Sequence, residues 1–215
     1  MGAFGHPFLC LSCINTHMAN VFQRLQKEFG ESILDPRSEA SRKWFLEKVK
    51  GITTRPNRDN IISKPPMRTV SRVLPGMMYM FYYSPKGERR LPYYDSFPLV
   101  VLLDTHRGGM TGLNLHYLPI DLRQKLFYGL LNRVDDRDID ENSFIKITYD
   151  TLNAARSLKE YRPCFKKYLT ENIRGNIVQV PAPEWEVAVH LPLALWRKAD
   201  EATVHRESER MIERF

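Results

Sequence analysis

The sequence predicts an α+β fold: a small antiparallel sheet or SH3-like barrel surrounded by helices, with a basic helical arm on its N-terminal side. Two strand-forming runs, residues 77–83 (MMYMFYY) and 97–103 (FPLVVLL), lie close together and are bounded by tight turns. Residues 111–118 (TGLNLHYL) set Leu113, Leu115 and Tyr117 against Asn114 and His116, the period of two of a half-buried strand. The flanking segments repeat their apolar residues every three or four positions. Strands and helices are therefore grouped in runs rather than alternating as in a parallel sheet.

The elements follow in chain order. Residues 19–29 place Val21, Phe22, Leu25 and Phe29 on one helical face, with Gly30 at the stop position. A second helix is expected over 38–50, where Ser38 can cap it, Trp44, Phe45 and Val49 form its apolar stripe, and Gly51 ends it. Residues 52–74 contain three prolines and no sustained period, the pattern of an irregular connector. Ser84, Pro85, Lys86 and Gly87 supply one turn and Arg107, Gly108 and Gly109 another. Pro119 opens a helix over 120–132. An acidic turn then leads to a helical run over 143–158. Residues 162–174 read as a basic helix with Phe165, Tyr168, Leu169 and Ile173 on one face, closed by Gly175. Residues 176–180 and 185–191 read as short strands, and 193–214 as a final charged helix.

The chain of 215 residues, 43% hydrophobic, is expected to divide into residues 1–17, a non-native or disordered extension preceding Met18; residues 18–74, a basic arm with its linker; and residues 75–215, the core domain. Charges or prolines interrupt every hydrophobic run, so no membrane partner is expected. Residues 1–17 lack the basic start and small-residue cleavage pattern of a secretory signal. Three cysteines make no disulfide framework, which suits synthesis in a reducing cytoplasm. Of the net charge of +7, residues 37–72 alone hold an excess of +7, ten Lys or Arg against three acids. Such a concentration suits phosphate, an acidic protein face, or a merely solubilising arm.

Several residue groups carry chemistry in other settings. His6, Cys10, Cys13 and His17 are soft ligands suited to zinc, but one short segment would have to wrap the ion by itself, and no metal is expected. Tyr93 and Tyr94, with Tyr79, Phe81, Tyr82, Tyr83 and Phe97 nearby, suit a base-stacking platform or a plain aromatic core. The loop His106-Arg107-Gly108-Gly109 resembles a phosphate-approaching turn, but a lone pair of glycines after a strand is better explained by a plain hairpin turn. Asp95, Asp104 and Glu88 near Lys86 have no spacing that marks a metal nuclease. Asp135, Asp136, Asp138, Asp140 and Glu141 lack the glycine of a calcium loop. GxxxxGK[ST], GxGxxG and GxSxG do not occur. The expectation is therefore a binding and assembly protein rather than an enzyme, with no cofactor and no small-molecule substrate.

The segments SRKWFLEKVKGI, PGMMYMFYYSPKGERRLPYYDSFPLVVLLD, GLNLHYLP, YRPCFKKYL and EWEVAVHLP resemble the DNA end protector (head-completion) family of T-even-like contractile-tailed bacteriophages. The resemblance covers about residues 41–191, and its most specific blocks are PYYDxFPL and GLNLHYLP. It implies a virion protein, made in the bacterial host cytoplasm, that binds and protects the ends of packaged linear double-stranded DNA. It further implies a role in completing the head, with other head or neck proteins as partners and no active site. A structural baseplate or tail protein of the same phages is the competing expectation. A protein that holds a duplex terminus needs phosphate contacts rather than base readout. Arg42, Lys43, Lys48, Lys50, Arg55 and Arg58 are the leading candidates for these contacts, and Lys166 and Lys167 come second.

Overall fold

The computed structural model describes residues 21–35, 38–52, 56–131 and 157–214. Helices α1 (Val21–Gly30) and α2 (Glu39–Lys50) form where the apolar spacing placed them. Ser38 caps α2 by accepting from the Ser41 amide, and the chain leaves the helix at Gly51. The region expected to be irregular contains a short helix α3 (Arg58–Ile62), capped by Asn57, and a strand β1 (Arg68–Val70). These elements escape a periodicity scan because each is under two turns or three residues long.

The expected strands appear as β2 (Met78–Tyr83), β4 (Leu99–His106) and β5 (Gly109–Asn114), with a two-residue strand β3 (Tyr94–Asp95) in the loop between β2 and β4. Leu99 to Leu103 are all buried, so both faces of β4 are covered, as its continuous apolar run requires. Arg107 and Gly108 turn the β4–β5 hairpin, with Gly108 at φ 81°, a conformation that favours glycine. Gly112 answers a different need: a Cβ there would lie 2.3 Å from Val100 Cγ1, so the close approach of β4 and β5 excludes any side chain. Helix α4 (Ile120–Leu131) follows Pro119 directly.

The C-terminal part departs from the periodicity. Residues 162–174 are not a helix: a 3-10 segment (Lys159–Cys164) leads into β6 (Phe165–Leu169), a short 3-10 turn (Thr170–Asn172) and β7 (Ile173–Val180). The open edge of β5 captures the segment, pairing Leu113 with Phe165 and Gly112 with Lys166. Residues 185–191, expected as a strand, begin as helix α5 (Trp185–His190), all six of whose residues are buried. The final helix is shorter than expected: β8 (Trp196–Arg197) comes first, and α6 (Glu201–Glu213) starts at Asp200, which accepts from the Thr203 amide at 2.7 Å. The run at 143–158 falls, except for its last two residues, outside the described residues, as does residue 1–20 with its His/Cys cluster and the acidic turn at 135–141.

Six strands form one antiparallel sheet in the order β1-β7-β2-β4-β5-β6, and β3 pairs with β8 in a small second sheet. The fold is α+β, and its sheet is open: of the two expected arrangements the closed barrel is not formed, because no ladder joins β6 to another edge. The sheet is nonetheless curled. Tyr168 of β6 lies edge-on to Phe81 and Tyr83 of β2, at ring distances of 5.2 and 4.9 Å, although two strands separate β6 from β2. Phe22, Leu25 and Phe45 of the first two helices belong to the same core as the sheet. Helix α2 is fastened to α5 and α4: Ser41 donates to Glu186 at 2.9 Å, Phe45 stacks on His190, and Arg42 lies over the Tyr128 ring at 3.7 Å.

Candidate nucleic-acid interface

The loop between β2 and β4 is organised by one carboxylate. Asp95 is buried and accepts four hydrogen bonds: from the Phe97 amide (2.9 Å), the Leu195 amide (3.0 Å), Asn114 Nδ2 (3.2 Å) and His116 Nδ1 (2.6 Å). A carboxylate only accepts, so His116 must carry its proton on Nδ1. Burial alone would raise the Asp95 pKa; the His116 charge and hydrogen bond, with the two amides, outweigh it and hold the carboxyl below its usual value. This network corrects the strand pattern expected at 111–118. Asn114 and His116, the polar half of that alternation, are both buried, and residues 115–117 leave the ladder as a 3-10 turn.

Asp95 thereby sets one wall of an open cleft of about 490 Å³ between the loop and strand β6. Tyr83, Tyr93, Tyr94, Tyr117 and Tyr168 line it. Trp196 backs it, meeting Tyr117 edge-on at 4.8 Å and Tyr93 at 6.4 Å. The cations of the cleft are Lys86, Lys166 and Lys167. Lys166 Nζ sits 3.8 Å from the centre of the Tyr117 ring, and burial lowers its ammonium to about 8, still largely protonated at neutral pH. Among the described residues Asp95 is the single acid in the lining, and its oxygens are already committed. Glu88, on the 3-10 turn Glu88–Arg90, accepts from the Tyr94 hydroxyl at 3.1 Å, and the exposed Arg89 and Arg90 follow it.

The expected phosphate contacts divide by place. Lys166 and Lys167 reach the cleft because β6 is a strand, not the helix the spacing suggested. Lys43, Lys48 and Lys50 are exposed on α2, with Lys43 3.1 Å from Glu39 and Lys48 2.6 Å from Glu28. Arg42 is half-buried on Tyr128. Arg58 turns inward, donating to the carbonyls of Leu193 (2.7 Å) and Ala194 (2.6 Å). Arg55 lies outside the described residues. Of the aromatic platform, Tyr93, Tyr94 and Tyr83 reach the cleft, whereas Tyr79, Phe81 and Phe97 are fully buried core.

Sequence reasoning missed three buried polar positions. Arg123 donates to the carbonyls of Val189 (3.0 Å) and Leu118 (3.2 Å) and is lowered by burial to about 10. His190 donates from Nδ1 to the Glu186 carbonyl at 2.7 Å and accepts at Nε2 from Gln124 at 2.8 Å, and burial lowers it to about 4. Glu186 accepts from both Ser41 and Tyr128. Glu186 and His190 sit among apolar neighbours in the sequence and Arg123 among polar ones, and no local signal marks any of them as buried.

Fold and site together describe an α+β protein with a cleft of tyrosines and lysines, in which no described helix is long and apolar enough to cross a membrane. The family model of the phage T4 terminal DNA protecting protein matches residues 14–202. The chain belongs to that family. No curated protein and no solved structure matches it.

Proposed function

We propose that this chain binds the ends of linear double-stranded DNA, shields them without catalysis, and helps to complete the head as a component of the virion. The observation that carries the reading is the gathering of Lys86, Lys166 and Lys167 with tyrosines on one cleft, in a chain of the terminal DNA protecting family. Lysine is a compact point charge suited to phosphate, and tyrosine faces stack on any base. Neither selects sequence, which suits a protein that must hold a terminus whatever its bases. The exposed lysines of α2 extend the same chemistry to phosphates further along the duplex.

The test is binding of the full chain to blunt linear duplex and to closed circular DNA over a salt series. Linear DNA is expected to bind more tightly and to keep its length in the presence of magnesium. Changing Lys43, Lys48 and Lys50 to Glu is expected to flatten the salt dependence of log K by roughly three units, about 0.9 per lost phosphate contact. Equal affinity for both forms of DNA would refute the reading. For the head, particles assembled without the chain are expected to package DNA whose ends remain open to exonuclease.

A further inference from the structure

We propose that the tyrosine and lysine cleft takes the phosphorylated terminal nucleotide of one DNA strand, unpaired from its partner, with its base on Tyr93 and its phosphate at Lys166. The proposal rests on the DNA-end reading and names what that end presents.

Three observations lead to it. The first is size: about 490 Å³ lies within the ordinary range of sites for single small ligands. A site of that size suits one nucleotide of one strand, and a terminal pair is the least costly to open, being stacked on one side only.

The second is charge. Lys166 Nζ rests on the Tyr117 ring and has no carboxylate within 4.0 Å among the described residues. A partly desolvated ammonium stabilised only by an aromatic face leaves donors available to an anion. With Lys167 and Lys86 on the same cleft, the site matches a terminal phosphate, which carries close to two charges, better than an internal phosphodiester, which carries one.

The third is the wall. Tyr93 is half-buried, and its ring is held by Tyr117 at 6.1 Å and by Trp196 at 6.4 Å. It is a stacking surface fixed in advance, so little side-chain freedom is lost when a base settles on it.

The experiment uses the full chain and a short duplex with one end closed by a hairpin. The other end carries a 5′-phosphate, carries a 5′-hydroxyl, or is closed by a second hairpin. Deoxyadenosine 5′-monophosphate is the competitor. The phosphorylated open end is expected to bind about tenfold more tightly than the hydroxyl end, and the mononucleotide to abolish that difference. Lys166→Gln and Tyr93→Ala are each expected to remove it too, while Lys27→Gln, at an exposed lysine of α1 outside the cleft lining, leaves it in place.

If open ends bind better than the doubly closed duplex but are indifferent to phosphate and to mononucleotide, the cleft proposal is overturned and end binding stands. If open and closed duplexes bind alike, both fall. The comparison of phosphate with hydroxyl uses the unaltered protein, so the decision does not depend on either variant folding.

Discussion

Replacing Asp95 by alanine removes the acceptor that ties three separate segments together. Four donors, three of them buried and the Leu195 amide partly so, lose their partner: the amides of Phe97 and Leu195, Asn114 Nδ2 and His116 Nδ1. A buried donor left unsatisfied costs about 1–3 kcal/mol. The two side chains can turn toward other acceptors, but the two amides are fixed by the backbone. A loss of about 4 kcal/mol follows, close to the ~3–5 kcal/mol typical of breaking a buried charge pair. A domain of this kind is stable by only about 5–15 kcal/mol, so the loss is a large share of the whole. Asp95→Asn keeps an acceptor for the amides while placing an NH₂ group against donors, and is expected to cost about half as much. Urea unfolding of the full chain measures both, with the midpoint falling and the slope unchanged. DNA binding should weaken in step, because Asp95 holds the loop that carries Tyr93 and Tyr94. The carboxyl is depressed in the folded protein, so its contribution is complete above its ordinary value near 3.8 and is lost as pH falls through the lower folded value. A cost below about 1 kcal/mol for the alanine variant would refute this account of the loop.

Two further outcomes follow from the buried groups. His190 is depressed from 6.5 to about 4, so the folded protein binds fewer protons than the unfolded chain between those values, and stability falls by roughly 3 kcal/mol as pH drops through that window. Proton NMR of the His190 ring measures the shift directly, and titration near 6.5 would contradict it. Arg58→Gln is expected to cost about 2–3 kcal/mol through the lost bonds to the Leu193 and Ala194 carbonyls, with little change in the salt dependence of DNA binding. Lys43→Gln should do the reverse, changing the salt slope while leaving thermal unfolding within about 0.5 kcal/mol, as expected of an exposed pair.

Local signals located the elements with two unlike faces. Val21, Phe22, Leu25 and Phe29 mark α1, and Ser38 with Trp44 and Phe45 marks α2, because a helix half in water writes its period into the sequence. The runs at β2 and β4 and the glycine turn between β4 and β5 are legible for similar reasons. The clustered charge of residues 37–72 is also legible, although by itself it suits an acidic protein face as well as phosphate, and it is the resemblance to the phage family that implies DNA.

What the sequence by itself determined, then, is the α+β class, the antiparallel pairing around residues 78–114, the exposed lysines of α2 and the phage family. Tertiary structure alone decided three things. Residues 185–190 are buried on every side, so they show no amphipathic period and packing against α1, α2 and α4 makes them a helix. FKKYL spaces its apolar residues as a helix would, but the free edge of β5 offers a ladder, and pairing there sends Lys166 and Lys167 into the cleft. Asp95, Asn114 and His116 look like surface polar residues until the loop, β5 and the segment before β8, whose Leu195 is 100 residues beyond Asp95, meet. In each case the deciding interaction joins residues remote in sequence, and local spacing holds no record of a partner that only folding brings near.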